Sequence, residues 1–321
     1  MYLVTGGAGF VGSHIAERLL AMGEKVRVLD NFSFGSEENL QGLEDKVEVV
    51  RGDLLDTAVV RKAMEGVEIV FHQAALRSVP FSVKSPSLVN RVNVEGTLNT
   101  LIAARDAGVR RVVYASSSSV YGNTTVLPKS EEQLPMPISP YAVSKLTGEY
   151  YCKVFTEVYG LETISLRYFN VYGPRQDPNS QYAAVIPRFI RWALKEEPLE
   201  VHGDGLQSRD FTYIDDVVAA NLQAAHSRDG IGEIFNVAQG KAHTLLDLID
   251  LLQELYATEL RLLHTMGRPG DVRYTLADIS KAQRRFGYRP RVSFEEGLAR
   301  TVEYFGRQMA WRLCRSFHSG F

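Results

Sequence analysis

The side chains with the clearest chemical potential are those of Tyr141 and Lys145, in the stretch Ser-Pro-Tyr-Ala-Val-Ser-Lys at residues 139–145. Serine is a favourable helix N-cap and proline suits the first helical position, so this stretch predicts the start of a helix. Tyr141 and Lys145 then lie one turn apart on one helix face. An ammonium beside a phenol lowers the phenol pKa from about 10 towards neutrality, which creates a general base for a sugar or alcohol hydroxyl group. The alternative is a solvated lysine beside a half-buried tyrosine.

A glycine-rich segment near the start of the chain predicts a dinucleotide site. Residues 2–4 have the pattern of a short apolar strand, residues 5–12 read Thr-Gly-Gly-Ala-Gly-Phe-Val-Gly, and an amphipathic helix pattern follows. Glycines allow a tight turn and a close approach of the backbone, and the helix N-terminus faces the pyrophosphate. The residues expected to contact the cofactor here are Gly6, Gly9, Phe10, Val11 and Gly12.

The second predicted strand, residues 26–30, ends in Asp30, 18 residues beyond Gly12. An acid at this position accepts hydrogen bonds from the hydroxyl groups of the adenosine ribose. Asn31 follows Asp30, and no basic residue adjoins it to take a 2′-phosphate, so the sequence favours NAD over NADP. The adenine is expected beside Asp53 and Leu54, at the carboxyl end of the next strand.

Strand and helix patterns alternate through the first half of the chain, which predicts an α/β fold with a parallel, doubly wound sheet of the Rossmann type. After residue 167, prolines and glycines separate shorter elements. We therefore predict a cofactor-binding domain over residues 1–167. A smaller α/β substrate-binding lobe is expected mainly over residues 168–321, with some segments returning to the sheet. Further strands are expected at residues 46–50, 67–71, 111–115 and 162–167, and long helices at 88–107 and 140–159.

The composition excludes several classes of function. With 321 residues, of which 45% are apolar and 23% charged, the chain has the make-up of an ordinary soluble globular protein. Its net charge of −2 gives no reason to expect a nucleic-acid-binding surface. No apolar run approaches the length that spans a bilayer and no signal peptide precedes the first strand, so a cytoplasmic protein without a membrane partner is expected. Cys152 and Cys314 lie far apart and predict neither a disulfide nor a metal site.

Taken together, these motifs resemble the extended short-chain dehydrogenase/reductase family, and within it the nucleotide-sugar epimerases and dehydratases. The resemblance extends from Leu3 to about Tyr288. It implies an NAD-dependent enzyme that binds a UDP-sugar and forms a homodimer through helices 88–107 and 140–159. Besides the glycine loop, Asp53-Leu54 and the Tyr-x-x-x-Lys pair, it rests on Ser-Ser-Ser-Ser-Val-Tyr-Gly at 116–122, Leu-Arg-Tyr-Phe-Asn at 166–170, Ser-Arg-Asp-Phe at 208–211 and Arg-Pro-Gly-Asp-Val at 268–272.

The resemblance also implies roles for individual residues. Tyr141 is the acid and base at the sugar hydroxyl, Lys145 holds the nicotinamide ribose, and Ser117 hydrogen-bonds the reacting oxygen. The further cofactor-site residues that it implies are Gln73, Ala74, Ala75, Arg77, Asn93 as the residue that orients Lys145, Ser116, and Tyr168 near the nicotinamide. The further substrate contacts that it implies are Ser119, Asn170, Thr275, Arg209 and Arg268 on the diphosphate, Asp271 on the uridine ribose, and Val185 and His202 around the uracil.

The serine loop at residues 116–119 indicates the type of reaction. Dehydratases of the family carry an Asp-Glu pair just after the hydroxyl residue of this loop, and related decarboxylases place Glu where Ser119 stands. Here those positions hold Ser118 and Ser119. Elimination and decarboxylation therefore lack their usual proton-transfer group, whereas epimerisation needs no second acid. The resemblance thus predicts a 4-epimerase that inverts C4 through a 4-keto sugar.

Two further features bear on the sugar. The segment at residues 176–187 resembles that of bacterial epimerases acting on UDP-N-acetylglucosamine. Thr275 is small, where a bulky tyrosine restricts related pockets to unacetylated hexoses. The expected substrates are UDP-GlcNAc and UDP-GalNAc, with UDP-Glc and UDP-Gal in addition. One alternative is a UDP-glucuronate 4-epimerase, in which Arg77 or Arg175 supplies a cation near the sugar C6. The alternative from another class is a non-catalytic NAD-binding sensor or scaffold.

Overall fold

The computed structural model describes residues 1–43, 45–178, 184–266 and 273–318, with side chains up to residue 309. In chain order its strands are β1 (Tyr2–Thr5), β2 (Val26–Asp30), β3 (Val47–Arg51), β4 (Ile69–His72), β5 (Arg111–Ser117), β6 (Glu162–Tyr168), β7 (Val171–Tyr172), β8 (Leu199–His202), β9 (Ser208–Arg209), β10 (Thr212–Tyr213), β11 (Ile234–Val237), β12 (His243–Thr244) and β13 (Leu262–Thr265). Its α-helices are α1 (Phe10–Ala21), α2 (Thr57–Ala63), α3 (Val79–Lys84), α4 (Pro86–Asn90), α5 (Gly96–Asp106), α6 (Pro140–Tyr159), α7 (Val185–Leu194), α8 (Ile214–His226), α9 (Leu245–Tyr256), α10 (Ser280–Phe286) and α11 (Phe294–His318).

The main sheet has seven strands in the order β11–β6–β5–β4–β1–β2–β3, and all neighbouring pairs are parallel. The chain begins at β1, inside the sheet, and winds outward in both directions, which confirms the predicted doubly wound sheet. β2 has the predicted bounds, and the other predicted strands differ by no more than two residues at either end. β11, from the later part of the chain, joins the sheet beside β6. Shorter pairs join β7 with β10, β8 with β13 and β9 with β12.

Adjacent residues of the central strands face opposite sides of the sheet. Leu3 and Val112 belong to one buried apolar cluster, together with side chains of α2, α5 and α6. Val4 and Val113 belong to another, together with side chains of α1 and α8. Because successive side chains of a strand alternate in direction, each face of the sheet needs its own cover of helices. The continuous apolar character of these strands follows from burial on both faces.

The two long helices expected from the sequence are present. α6 spans the predicted residues and ends at Gly160, whose φ of 71° suits a glycine C-cap. The helix expected over residues 88–107 consists of α4, a π-helical turn (Arg91–Glu95) and α5. A π-helical turn inside an α-helical run often marks a functional site. No helix in the described ranges has the length and apolar character that crossing a membrane requires.

A buried ion pair joins the amino ends of β5 and β6. Arg111 lies opposite Glu162 in the sheet, and its guanidinium contacts the Glu162 carboxylate at 2.7 Å. The same guanidinium donates to the carbonyls of Ala224, Ala225 and Ser227 at the end of α8. Cations stabilise helix C-termini, so Arg111 links the sheet to the helix that covers it.

Candidate active site

Tyr141 and Lys145 lie in the first two turns of α6. Ser139 caps the helix, since its Oγ accepts a hydrogen bond from the Ala142 amide at 3.2 Å, and Pro140 occupies the first turn. Both functional side chains are buried, with 9% of Tyr141 and 4% of Lys145 exposed. The cap therefore fixes where the helix starts and which face of it carries the two side chains.

The carboxyl end of β5 meets this helix face. The Lys145 ammonium donates to the Ala115 carbonyl at 2.7 Å. Two residues further along the strand, Ser117 is hydrogen-bonded to the side chain of Tyr141. The strand end and the first turns of the helix therefore bring together the three residues predicted as catalytic, Ser117, Tyr141 and Lys145.

The pKa of Tyr141 reflects its burial and two neighbouring groups. Burial raises the pKa of Tyr141, while the hydrogen bond with Ser117 and the charge of Arg77 act in the opposite direction. Burial also lowers the pKa of Lys145, to about 8. The Lys145 ammonium is held at the Ala115 carbonyl, and the expectation that it lowers the phenol pKa stays a prediction.

The serine loop forms hydrogen bonds within its own turn and also borders the site. Ser117 precedes the 3₁₀ turn Ser118–Tyr121, and its Oγ accepts the Ser119 amide at 3.1 Å and donates to the Ser119 hydroxyl at 3.1 Å. These bonds hold the Ser117 hydroxyl within the turn, at the strand end beside Tyr141. The serine hydroxyls can therefore form the hydrogen bonds of their own turn and still contribute to the site.

A cavity runs along the carboxyl ends of the sheet strands, where ligands of open α/β folds bind. Its lining includes every predicted cofactor residue except Asn93. The predicted substrate residues that line it are Ser117, Ser119, Tyr141 and Asn170. The structure therefore brings the glycine loop, the strand-end acids and the candidate catalytic residues to one surface.

The glycine loop is packed so tightly that no side chain fits at two positions. A Cβ at Gly12 would lie 2.2 Å from the carbonyl oxygen of Gly6. Gly6 itself has φ of +67°, and a Cβ there would lie 2.7 Å from the backbone of Ala74. This backbone cradle at the N-terminus of α1 fits the pyrophosphate of a dinucleotide.

The acid at the end of β2 fits a ribose of NAD. The Asp30 carboxylate accepts the backbone amides of Ala8 at 2.9 Å and Phe32 at 2.8 Å. A carboxylate has about four acceptor sites, so capacity remains for ribose hydroxyls. Arg51 lies opposite Asp30 in β3, but its guanidinium is paired with Glu37 and lies over the Phe32 ring. The guanidinium opposite Asp30 is thus already engaged, consistent with NAD and not with a 2′-phosphorylated cofactor.

Replacing Gly12 by alanine is expected to weaken NAD binding by at least about tenfold, because the new methyl group displaces the carbonyl of Gly6 and widens the turn. Gly306→Ala is the matched control, since a Cβ at Gly306 meets nothing within 4 Å. Isothermal titration with NAD measures both affinities. Wild-type affinity in the Gly12 variant would show that the cofactor does not depend on this close approach.

Asn93 lies behind the cavity and not in its lining. From the π-helical turn, its side chain accepts the Leu76 amide at 2.8 Å and donates to the Leu76 carbonyl at 3.0 Å and to Ser144 Oγ at 3.0 Å. It thus joins the loop after β4 to the residue that precedes Lys145. That Asn93 orients Lys145 stays a prediction. The contact through which it would act is its hydrogen bond to Ser144, the residue before Lys145.

Tyr168 is anchored by a residue that the sequence did not single out. Its hydroxyl lies 2.9 Å from Asn221 Oδ1 and 3.2 Å from Gln73 Oε1. Gln73 in turn donates to Asn221 Oδ1 at 3.2 Å. Asn221 lies on α8, far along the chain, and no local pattern marks it. This network fixes the Tyr168 ring at the cavity wall.

A second group of polar contacts joins Asn170 to Thr275. Asn170 Nδ2 donates to Thr275 Oγ1 at 3.2 Å and to the Asp210 carbonyl at 3.1 Å. The Asp210 amide donates to the same Thr275 oxygen at 3.1 Å. The Asp210 carboxylate is fully buried and accepts the amides of Gln239 at 2.9 Å and Ala277 at 3.1 Å. Asp210, which sequence reasoning missed as a site residue, therefore holds the loops that carry Thr275.

Three further substrate candidates that the structure describes, Arg209, Val185 and His202, are not part of the cavity lining. Arg209 is at the end of β9, next to Asp210; Val185 begins α7, and His202 ends β8. Arg268 and Asp271, and part of the 176–187 segment, lie outside the described residues. Within the described ranges, no group of three or more His, Cys, Asp or Glu side chains is arranged to hold a metal ion.

The dinucleotide cavity and the Ser117, Tyr141 and Lys145 group within it define a class, the NAD-dependent enzymes built on a Rossmann sheet. Residues 2–238 match the model of the NAD dependent epimerase/dehydratase family. The chain belongs to this family, and NAD is its cofactor.

Individual relatives are similar over nearly the whole chain. The UDP-glucose 4-epimerase of Mycolicibacterium smegmatis is 39% identical over 307 residues, which cover 94% of this chain and 97% of the relative. The structure of a UDP-N-acetylglucosamine 4-epimerase from Methanobrevibacter ruminantium, in complex with UDP-N-acetylmuramic acid, matches with a TM-score of 0.92 and 41% identity, covering 96% of this chain and 98% of that chain.

A third relative carries a different sugar. The structure of a UDP-glucuronic acid 4-epimerase from Bacillus cereus, in complex with UDP-glucuronic acid and NAD, has a TM-score of 0.89 and 34% identity, covering 96% of this chain and 99% of that chain. All three relatives are named as 4-epimerases, which are isomerases, and the chain is an NAD-dependent enzyme of this class. Because the three names give three different sugars, similarity alone does not select one.

Proposed function

We propose that the chain is a UDP-sugar 4-epimerase. The observation that carries this proposal is the meeting of Ser117, Tyr141 and Lys145 inside the dinucleotide cavity. Tyr141 takes the proton of the sugar 4-hydroxyl and later returns it, while Ser117 hydrogen-bonds the same oxygen. NAD, when bound, accepts the hydride from C4 and gives it back. The 4-keto sugar turns over between the two steps, so that the hydride returns to its other face.

The acids of the cavity support epimerisation over elimination. Among the described residues that line it, the carboxylates are Asp30 and Asp53, at the ends of β2 and β3. Asp30 is bound by backbone amides, and Asp53 Oδ2 accepts the Asn31 side chain at 2.6 Å. The loop beside Tyr141 carries Ser118 and Ser119 instead of acids. A dehydratase or decarboxylase needs a proton-transfer group there, whereas an epimerase does not.

The contacts of Thr275 support an enzyme that accepts both N-acetylhexosamines and hexoses. Thr275 is buried and bonded to the cavity-lining Asn170. The neighbouring Tyr274 is 44% exposed, and the guanidinium of Arg273 lies 5.6 Å from its ring. The small residue of the pair is therefore the one beside the pocket. On this basis we propose UDP-GlcNAc/UDP-GalNAc and UDP-Glc/UDP-Gal as the substrate pairs.

The charge balance speaks against a uronate as the main substrate. A glucuronate carboxylate requires an available cation near C6. Burial lowers the pKa of Arg77, and the charges of Tyr141 and Asp177 raise it. The Arg175 guanidinium is paired with Glu17 at 2.8 Å. Of the two candidate cations, Arg175 is thus already paired with an acid. UDP-glucuronate 4-epimerase remains the second candidate because a relative of this name matches over nearly the whole chain.

Product analysis by NMR tests the proposal. The purified protein is incubated separately with UDP-GlcNAc, UDP-Glc and UDP-glucuronate, and C4 epimers are expected from the first two. A 4-keto-6-deoxy product or release of CO₂ would contradict the interpretation of Ser118 and Ser119. Turnover of UDP-glucuronate alone would replace the proposed sugar. Bound NAD without any turnover would favour a sensor or scaffold.

We also propose that the protein is a homodimer, and the expected cytoplasmic location stays a prediction. One face of α6 carries exposed apolar side chains at spacings of seven and four residues, namely Val143, Tyr150, Val154 and Val158. An apolar stripe of this kind on a surface helix marks a protein contact. A second copy of the chain supplies a matching stripe through a two-fold axis.

Val154→Asp is expected to convert the dimer to a monomer, because it places a charge in the centre of this stripe. Val126, which is 60% exposed on a loop outside α6, provides the matched control as Val126→Asp. Size-exclusion chromatography with light scattering measures the mass of each variant. A dimer that survives the first substitution would assign the interface to another surface.

A further inference from the structure

Glu149 carries a fully enclosed carboxylate near the site. Its side chain is fully buried and belongs to an ion pair with Arg167, of which 2% is exposed. Arg167 Nε donates to Oε1 at 2.8 Å and Nη2 donates to Oε2 at 2.7 Å. The Ser116 hydroxyl also donates to Oε1. Glu149 therefore joins α6 to two adjacent strands, β5 through Ser116 and β6 through Arg167.

The position of these bonds along β5 connects Glu149 to the catalytic group. Three consecutive residues of the strand are bonded to three side chains of α6. The Ala115 carbonyl accepts Lys145, the Ser116 hydroxyl donates to Glu149, and Ser117 is bonded to Tyr141. Glu149 lies one helical turn beyond Lys145, on the same face. The middle one of the three contacts is thus the one made by a buried carboxylate.

We infer that Glu149 is a positioning residue, which holds the end of β5 against the face of α6 that carries Tyr141 and Lys145. This inference rests on the proposed epimerase function, in which Lys145 and Tyr141 act together. A buried ion pair often contributes little to net stability, which leaves placement of the catalytic group as its main effect here.

The charges around Lys145 support this role. Burial lowers the pKa of Lys145 to about 8, and Cys152 and Glu149 raise it. The Cys152 thiol is neutral, since burial raises its pKa to about 12. From β4, His72 is neutral because burial lowers its pKa to about 3, and from β5 the Tyr114 ring lies 5.1 Å from the ammonium. The Glu149 carboxylate acts on Lys145 from the same helix face and is itself paired with the Arg167 guanidinium from β6.

The test compares Glu149→Gln with a matched control. Loss of the Glu149 charge lowers the pKa of Lys145 below about 8. Lys145 then loses its proton at a lower pH than in the wild type, so the alkaline limb of the kcat profile shifts to lower pH. At pH 8 we expect kcat to fall by at least about tenfold, with KM nearly unchanged. The control is Glu162→Gln, which removes the acid of the ion pair at the opposite end of β5 and β6.

Further variants keep the test decisive. Glu149→Asp retains the charge and is expected to restore the alkaline limb. If Glu149→Gln does not fold because Arg167 is left unpaired, the double variant Glu149→Gln/Arg167→Met removes both partners of the pair. Because their opposite charges cancel, this variant is expected to lower kcat at pH 8 without the alkaline shift, and a wild-type kcat in it would overturn the inference. A wild-type pH profile in a folded Glu149→Gln protein, or an equal shift in Glu162→Gln, would overturn the inference. The pH dependence of NAD affinity, measured without sugar, keeps this result separate from a failure of the epimerase proposal.

Discussion

Replacing Tyr141 by phenylalanine is expected to lower kcat by about a hundredfold to ten-thousandfold, the range that a positioned acid or base contributes. The phenol is buried, hydrogen-bonded to Ser117 and acted on by the charge of Arg77, so no water or neighbouring side chain replaces it easily. Removal of the hydroxyl leaves the ring in place, and NAD affinity is expected to change by no more than a few fold. The loss therefore belongs to the chemical step and not to cofactor binding.

The measurement is steady-state epimerisation of UDP-Glc and UDP-GlcNAc, with NAD affinity determined by titration of the same preparations. Tyr159→Phe is the matched control, since Tyr159 lies on the same helix and is 50% exposed. Its kcat is expected to equal that of the wild type. A Tyr141→Phe enzyme with nearly full activity would remove the phenol from the mechanism and make Ser117 the next candidate for the proton transfer.

Local sequence signals were sufficient for the parts of the site that are contiguous in the chain. The glycine loop and the helix start at Ser139 are each encoded by neighbouring residues, and the strand before Asp30 and α6 after Ser139 have the predicted bounds. Turn, cap and strand preferences act over a few residues, so they can be read without knowing the fold. The alternation of strands and helices likewise sufficed to predict a parallel, doubly wound sheet.

Long-range contacts account for what the sequence left unseen. The charge of Arg77 acts on Tyr141 across two separate segments of the chain, and no local pattern marks this pair. Asn221 and Asp210 reach the site only through the fold, with no local pattern to mark them. Glu149 is different, because its spacing of four residues from Lys145 was visible in the sequence. The information missing there was its burial, which turns an ordinary helical acid into a charge that acts on its neighbour.

Replacing Thr275 by tyrosine is expected to lower kcat/KM for UDP-GlcNAc by about a hundredfold while UDP-Glc turnover changes much less. Thr275 Oγ1 lies 3.2 Å from Nδ2 of Asn170, which lines the cavity, so a large ring at this position occupies space next to the sugar. An N-acetyl group needs that space and a hydroxyl does not. The expected result is therefore a change in the ratio of the two specificities and not a general loss.

Two control variants separate size from hydrogen bonding. Thr275→Val keeps the volume but removes the acceptor for the Asp210 amide and Asn170, so it is expected to lower stability and leave the ratio of the two sugars unchanged. Tyr274→Thr changes the exposed neighbour and is expected to alter neither quantity. Competition assays with both UDP-sugars in one reaction measure the ratio directly. An equal loss for both sugars in Thr275→Tyr would mean that this position supports the loops around Asp210 without selecting the substrate, and the choice between hexose and N-acetylhexosamine would then depend on other residues.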